Sequence, residues 1–188
     1  MKIDGNAIRP GMVIEHKGDL WLAVKIQHTQ PGKGGAYLQV ELKGVRTGTK
    51  LNERFRSSES VERVRLEQKL YQYLFSDNGL VTVMDGESFE QSSFAESLLG
   101  DALPFLQDGM MIDLKSYEGE VISATLPETV VVTVQETEPT VKGQTAASSN
   151  KPAVLENGVR IMVPPFVAAG ERILVNTSDA TYVRRAED

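Results

Sequence analysis

Short runs in which apolar and polar residues alternate make up most of the chain, and they predict β-strands. Two of these runs cover residues 20–26 and 37–42, and a short segment rich in glycine joins them. Apolar runs joined in this way are typical of a β-hairpin. Because glycine carries no side chain and tolerates positive φ, the lysine in the segment is the most protruding group of the predicted tip. The tip consists of Pro31, Gly32, Lys33, Gly34 and Gly35.

The same pattern continues to the end of the chain. The further runs are 50–56, 61–66, 70–75, 80–84, 111–117, 121–125, 130–134, 153–155, 160–163, 172–175 and 180–184. Short strands at close spacing, separated by turn residues, predict small closed or nearly closed barrels. We therefore predict an all-β fold of three small modules that cover residues 1–64, 65–128 and 129–188.

One segment predicts a helix instead. It begins near Ser88, includes Phe94 and Leu98, and is followed by Gly100. Glycine directly after the last helical residue is a common C-terminal cap. We therefore predict a helix over residues 88–99.

Composition narrows the class of protein. The chain has 188 residues, of which 40% are hydrophobic, and no cysteine, so disulfides and thiolate chemistry are excluded. The N-terminal residues lack the apolar core of a secretory signal, and the longest apolar stretches are too short to cross a bilayer. We expect a soluble, cytoplasmic, monomeric protein without a membrane partner.

The net charge of −6 is divided unevenly along the chain. Residues 1–64 carry 11 Lys and Arg against 7 Asp and Glu, whereas residues 65–128 carry 3 against 12. Residues 129–188 are nearly balanced, with 6 against 7. Since nucleic-acid backbones are polyanionic, a nucleic-acid partner is expected to contact mainly the first module.

No constellation of residues predicts catalysis. His16 and His28 have no acidic or cysteine neighbours at the spacing of metal ligands. The glycine segment is not a phosphate-binding loop, because Lys33 is followed by Gly34 and no helix begins there. We therefore predict neither a catalytic site nor a metal site, and no cofactor.

Basic and aromatic residues instead predict binding. Arginine–phosphate contacts and stacking on aromatic rings are common ways of holding RNA. Besides Lys33, the predicted binding residues of the first module are Lys25, Lys43, Arg46, Arg54 and Arg56. Near the C-terminus they are Tyr182, Arg184 and Arg185.

The last third carries a pattern that resembles the signature of bacterial translation elongation factor P. The matching positions are Lys151, Ala153, Gly158, Ile161, Val163, Pro164, Val167 and Gly170. The segment 31–34 is similar to the modified-lysine loop of that family, and the resemblance extends over the whole chain. It implies an SH3-like, KOW-type barrel followed by two OB-fold barrels, in an L-shaped arrangement that mimics tRNA.

The resemblance also implies a function. Members of the family bind the 70S ribosome between the peptidyl and exit tRNA sites and relieve stalling at consecutive prolines. The implied partners are peptidyl-tRNA in the P site, ribosomal RNA and an enzyme that modifies Lys33 with a β-lysyl-type group. Gly143 and Thr145, in a loop of the third module, are implied ribosome contacts. Gln144 and Ala147 depart from the family pattern in that loop.

Two other functions compete with this one. A general RNA-binding barrel protein without a ribosomal role would need exposed aromatic residues on an OB face, and the acidic middle module opposes this. A barrel that binds a small ligand or a saccharide is also within the OB repertoire, and its binding would not depend on Lys33.

Overall fold

The computed structural model describes residues 1–139 and 149–187. Strands account for most of this part of the chain, and two 3₁₀ segments cover Gly5–Ala7 and Glu96–Phe105. The strands are β1 Lys2–Asp4, β2 Val13–His16, β3 Asp19–Thr29, β4 Tyr37–Gly44, β5 Lys50–Arg56, β6 Ser60–Val64, β7 Glu67–Asp77, β8 Leu80–Asp85, β9 Gln91–Ala95, β10 Met111–Tyr117, β11 Glu120–Thr125, β12 Thr129–Thr137, β13 Lys151–Leu155, β14 Arg160–Val163, β15 Arg172–Asn176 and β16 Thr181–Arg185.

The strands form three curled sheets. The strand orders are β1-β6-β2-β3-β4-β5, β11-β10-β7-β8-β9 and β14-β13-β12-β15-β16. Adjacent strands such as β3 and β4 run antiparallel, as expected for strands joined by short turns. The all-β class predicted from the alternating runs is therefore confirmed.

By its internal packing the chain divides into two compact units. The first comprises Met1–Gln68 with Lys115–Ser123, and the second comprises Lys69–Leu114 with Ala124–Asp188. The predicted module boundaries after residues 64 and 128 stay a prediction.

The core of the first unit follows from alternation along its strands. In β4, Leu38, Val40 and Leu42 are fully buried, and they pack with Ile14 and Phe55. Because successive side chains of a strand point to opposite faces, the residues between these three face away from the core. The second unit has the same organisation, with residues such as Val83 of β8 and Ile173 of β15 completely buried.

The predicted helix over residues 88–99 is wrong. Residues Gln91–Ala95 form strand β9, in which Phe94 is buried opposite Val81. Only from Glu96 onward does the chain turn into a 3₁₀ segment, and Gly100 interrupts that segment with φ at +53°. Burial of Phe94 against the paired strand β8 outweighs the local preference for a helix.

Candidate nucleic-acid interface

The predicted lysine tip lies at the end of the hairpin formed by β3 and β4. Thr29 and Tyr37 are the last paired residues, so residues 30–36 form the connecting loop. Lys33 is exposed, as are the glycines on either side of it. Gly34 has φ at +106°, a region that L-amino acids rarely adopt. The hairpin and its protruding lysine are therefore confirmed, and one glycine of the tip is required by its backbone conformation.

The space around Lys33 is open. A Cβ atom on Gly32 or Gly35 would meet no atom within 4 Å, and one on Gly34 would meet only Pro31 Cγ, at 4.0 Å. The lysine side chain is therefore accessible from several directions. This arrangement leaves room for a macromolecular partner or a modifying enzyme to surround it.

The base of the loop is held by the turn that follows β5. Ser57 donates two hydrogen bonds to the carbonyl oxygen of Ala36, from its backbone N–H at 3.1 Å and from Oγ at 3.0 Å. Gly5 packs tightly beside this turn, because a Cβ atom there would lie 2.3 Å from the carbonyl oxygen of Arg56. The loop thus projects from a fixed support, although its own residues are exposed.

The register of β3, β4 and β5 brings most of the predicted basic residues onto one face. Lys25 pairs with Glu41, Gln39 pairs with Arg54, and Tyr37 pairs with Arg56. Directly paired residues lie on the same face of a sheet, about 4.5–5.5 Å apart at Cβ. We call this surface, which faces away from the core, the outer face of the hairpin. Its basic residues are Lys25, Lys43, Lys50, Arg54 and Arg56.

Two residues of the outer face were missed by the sequence prediction. Lys50 is exposed and pairs with Lys43, and strict alternation along β5 could have identified it. Tyr37 lies under Arg54, whose guanidinium carbon is 4.1 Å from the ring centroid. This cation–π contact orients Arg54 over the strand that leaves the Lys33 loop. No local sequence signal pairs these two residues, because they belong to different strands.

Arg46 is placed differently from the other predicted basic residues. It lies after β4, and its guanidinium contacts Asp19 at 2.7 Å and Glu120 at 3.2 Å. Hydrogen bonds to Glu120 and then to Asp19 raise the pKa of Arg46. Since two carboxylates already balance its charge, Arg46 contributes less positive potential to a partner than the residues of the outer face do.

The three residues predicted near the C-terminus all lie on β16 but have different surroundings. Arg185 is bound by Glu171 at 3.0 Å and lies over the ring of Phe166 at 4.4 Å. Arg184 is exposed, 3.6 Å from Glu187. Tyr182 is half-buried at the edge of a surface cavity. The residues therefore do not form one binding group, although they are close in sequence.

The remaining predictions concern the loop of the third module, metal binding and membrane-spanning helices. Gly143 and Thr145, together with Gln144 and Ala147, lie outside the described residues. Among the residues that are described, no group of three or more His, Cys, Asp or Glu side chains is placed to hold a metal ion. Within the same part of the chain, no helix is long and apolar enough to cross a membrane.

Three family models match the chain in succession. They describe the elongation factor P KOW-like domain over residues 4–61, the elongation factor P OB domain over 66–124, and the elongation factor P C-terminal region over 130–185. The predicted order of an SH3-like, KOW-type barrel followed by OB-fold barrels is therefore confirmed.

Proteins named elongation factor P match along their full length. The protein from Parvibaculum lavamentivorans is 62% identical over 187 residues, covering 100% of both chains. The one from Ruegeria pomeroyi is 58% identical, covering 98% of this chain and 99% of the relative. The one from Brucella abortus is also 58% identical, covering 99% and 100%.

Solved structures with a similar fold have much lower sequence identity. Translation initiation factor 5A from Methanococcus jannaschii matches with a TM-score of 0.56 and 19% identity, over 68% of this chain and 92% of that one. A protein of the same initiation factor family from Naegleria fowleri matches with a TM-score of 0.54 and 14% identity, over 67% and 98%. At these identities the similarity establishes the fold alone.

Proposed function

The chain belongs to the elongation factor P family of translation elongation factors, and from this we propose that it binds the 70S ribosome between the peptidyl and exit tRNA sites. There it stimulates peptide-bond formation and relieves stalling at consecutive prolines. The ribosome carries out the chemistry, and this protein acts by positioning peptidyl-tRNA. We further propose that it acts in the cytoplasm, with ribosomal RNA as part of its binding site.

The observation that carries the proposal is the exposed Lys33 at the end of a hairpin whose loop is hydrogen-bonded at its base. The space beside the three glycines of its loop is open, and Ser57 fixes the base of the loop. A single cation on such a projection can reach a crowded, polyanionic site that a broad surface cannot enter. Lys33 is therefore the group we assign to the CCA end of peptidyl-tRNA.

The outer face of the hairpin supplies a second contact with the peptidyl-tRNA. Lys25, Lys43, Lys50 and Arg56 are exposed there, and Arg54 is stacked on a tyrosine ring. Lysine and arginine side chains that neutralise phosphates supply much of the affinity for nucleic acids and fix the register of binding. We propose that this face holds the backbone of the acceptor arm, so that Lys33 is delivered to the end of the same tRNA.

Positioning can account for a large acceleration. Proline is a rigid substrate, so a peptidyl-tRNA that carries it spends little time in the reactive orientation. Holding two reacting groups in the correct geometry can contribute up to about 7–11 kcal/mol in favourable systems. A contribution of only about 1.4 kcal/mol already corresponds to a tenfold change in rate. No catalytic side chain of this protein is needed for such an effect.

We also propose that Lys33 receives a β-lysyl-type extension from a separate modifying enzyme. The small residues on both sides of Lys33 support this, because an enzyme must enclose the side chain that it modifies. The extension would lengthen the reach of the cation and add a second amine. No other cofactor is proposed.

The decisive test is peptide-bond formation on ribosomes programmed with consecutive proline codons. The reaction is measured without factor, with the protein purified from its own cells, and with Lys33→Ala. We expect strong acceleration by the native protein and at least a tenfold smaller acceleration by Lys33→Ala. Lys2→Ala, which removes an exposed lysine outside the hairpin, serves as the matched control and should behave like the native protein.

Three outcomes would contradict parts of the proposal. If the native protein does not accelerate the reaction, the ribosomal role is wrong and a general RNA-binding function is favoured. If Lys33→Ala is as active as the native protein, the factor works without its tip. If Lys2→Ala is as impaired as Lys33→Ala, the effect reflects general loss of positive charge rather than the position of Lys33.

A further inference from the structure

The chain contains two Asn–Gly pairs, Asn78–Gly79 and Asn157–Gly158. Such a pair is prone to lose the side-chain amide, because glycine has no side chain to shield the backbone nitrogen that attacks the asparagine. Both pairs lie in turns between strands, and both glycines have positive φ, +77° for Gly79 and +85° for Gly158. The same chemical pair is therefore present in two folded environments, which differ in how they hold it.

The Asn157 amide is held at both ends. Its Nδ2 donates a hydrogen bond to the carbonyl oxygen of Pro104 at 3.1 Å, and its Oδ1 accepts one from the backbone N–H of Val159 at 3.1 Å. The backbone N–H of Gly158 donates to the carbonyl oxygen of Leu155 at 2.9 Å. Since hydrogen bonds fix both the attacking nitrogen and the amide that it would attack, this turn protects Asn157.

Asn78 lacks this protection. Both Asn78 and Gly79 are exposed. In the part of the chain that the structure describes, no hydrogen bond holds the Asn78 amide or the backbone N–H of Gly79. A Cβ atom on Gly79 would meet nothing within 4 Å, so water and hydroxide can reach the backbone of this turn.

The turn that contains Asn78 is also placed where it can open. It has two residues, is closed by the pair Asp77–Leu80, and forms the exposed end of the hairpin of β7 and β8. Asn78 has φ at +50°, in the left-handed region that few L-residues adopt. The hydrogen bond from the Glu96 N–H to the Gly79 carbonyl oxygen, at 3.0 Å, does not involve the Asn78–Gly79 peptide group. Attack on the side chain requires rotation about the Cα–C bond of Asn78, and local opening of an exposed turn permits that rotation.

We propose that Asn78 is a site of spontaneous deamidation and isoaspartate formation in the folded protein, and that Asn157 is not. The Gly79 backbone nitrogen, after losing its proton to hydroxide, attacks Cγ of Asn78 and closes a succinimide ring. The bond from Cγ to Nδ2 breaks, and this nitrogen leaves as ammonia after taking a proton from water. A second water molecule then opens the ring at one of its two carbonyl carbons. Opening at Cγ gives aspartate, and opening at the main-chain carbon gives isoaspartate, in which the chain continues through Cγ.

The two products differ in their effect on the hairpin. Aspartate adds only a negative charge beside Asp77. Isoaspartate also adds a carbon atom to the main chain of the turn, whose length fixes the register of the two strands. That register buries Val81 and Val83 of β8 in the core. We therefore expect isoaspartate to weaken the pairing of β7 with β8. The modification is independent of Lys33 and of the proposed function.

The test is incubation of the full-length protein at neutral and at mildly alkaline pH, followed by peptide mass spectrometry. Deamidation is read from the mass increase of each Asn–Gly peptide, and isoaspartate from methyl transfer by a purified isoaspartyl carboxyl methyltransferase. The rate should increase with pH, since the attacking nitrogen must lose its proton. We expect Asn78 to react at least about tenfold faster than Asn157, because three hydrogen bonds hold the Asn157 pair.

The same incubation in concentrated guanidinium chloride is the control. Unfolding removes both environments, so Asn78 and Asn157 should then react at similar rates. The proposal is overturned if Asn157 reacts as fast as Asn78 in the folded protein. It is also overturned if Asn78 stays intact in the folded protein over a time in which the unfolded chain is largely converted, since the turn would then protect it.

Matched substitutions assign the modification and its effect. Glutamine closes the corresponding ring much more slowly, so Asn78→Gln should remove most methyl acceptance, whereas Asn157→Gln should leave it unchanged. Equal acceptance by the two variants would overturn the assignment. Freshly purified Asn78→Asp, which has the added charge without the added carbon atom, should unfold at the same temperature as the native protein. Protein aged until position 78 is mainly isoaspartate should unfold at a lower temperature, and an unchanged temperature would contradict the expected loss of register.

Discussion

Replacement of Gly34 by alanine tests how far the activity depends on the backbone conformation of the lysine loop. Gly34 has φ at +106°, and the atom nearest to the added methyl group would be Pro31 Cγ at 4.0 Å, an ordinary contact. The methyl group therefore causes no clash, and the cost comes only from the backbone. Such a conformation costs an L-residue about 1–3 kcal/mol, which equals a factor of about 5–150 in population.

This cost should appear as loss of the native loop rather than loss of the fold. The loop is exposed, so the strained residue can relax into another conformation while β3 and β4 remain paired. If only a fraction of molecules presents Lys33 correctly, the apparent dissociation constant rises by the inverse of that fraction. We therefore expect Gly34→Ala to need about 5- to 150-fold more protein for half-maximal stimulation of Pro–Pro bond formation. Its thermal unfolding should change little.

Two neighbouring glycines are matched controls. Neither Gly32 nor Gly35 has φ in the left-handed region, and a Cβ atom on either would meet nothing within 4 Å. Gly32→Ala and Gly35→Ala should therefore stay within about twofold of the native protein, compared at equal modification of Lys33 as determined by mass spectrometry. The reasoning is refuted if all three variants are equally active. It is also refuted if Gly35→Ala is impaired as much as Gly34→Ala.

Two further predictions concern stability. Ser57→Ala removes the 3.0 Å hydrogen bond from Oγ to the carbonyl oxygen of Ala36 but keeps the backbone hydrogen bond. Urea denaturation should therefore show a free energy of unfolding that is lower by about 0.5–1.5 kcal/mol. An unchanged free energy of unfolding would mean that the side-chain hydrogen bond is redundant. For Asp85, the hydrogen bond from Lys69 at 2.6 Å, followed by one from the backbone N–H of Glu87, lowers the pKa to about 2. Because the folded-state pKa lies below that of the unfolded chain, this stabilisation is present above about pH 4 and is lost as the pH falls toward 2. Asp85→Asn should therefore be less stable at neutral pH and lose less stability between pH 4 and 2, and parallel curves for the two proteins would contradict this.

The sequence by itself determined the elements that depend only on residues close together in the chain. Alternation over residues 37–42 identified the strand that carries the core residues Leu38 and Val40, and the glycines identified the hairpin tip. The position of Lys33 followed from the same local chemistry. The signature between Lys151 and Gly170 indicated the family, because a pattern of particular residues at fixed spacings can be read directly from the sequence.

The tertiary structure decided which of the predicted residues act together. Register between strands placed Lys25 and Arg54 on one face and brought Tyr37 under Arg54, whereas the carboxylates of Asp19 and Glu120 took Arg46 out of that group. These contacts join residues that are distant in sequence, so no local pattern predicts them.

The helix that was predicted wrongly and the cavity that was not predicted have the same cause. Phe94 became part of a strand because β8 offered it a buried position, and the side chains around Tyr182 became a cavity because β13, β14 and β16 meet there. In both cases the pairing between strands, and not the propensity of one segment, places these side chains. Local sequence determines which strands can form, and the packing of those strands against one another determines which surfaces they create.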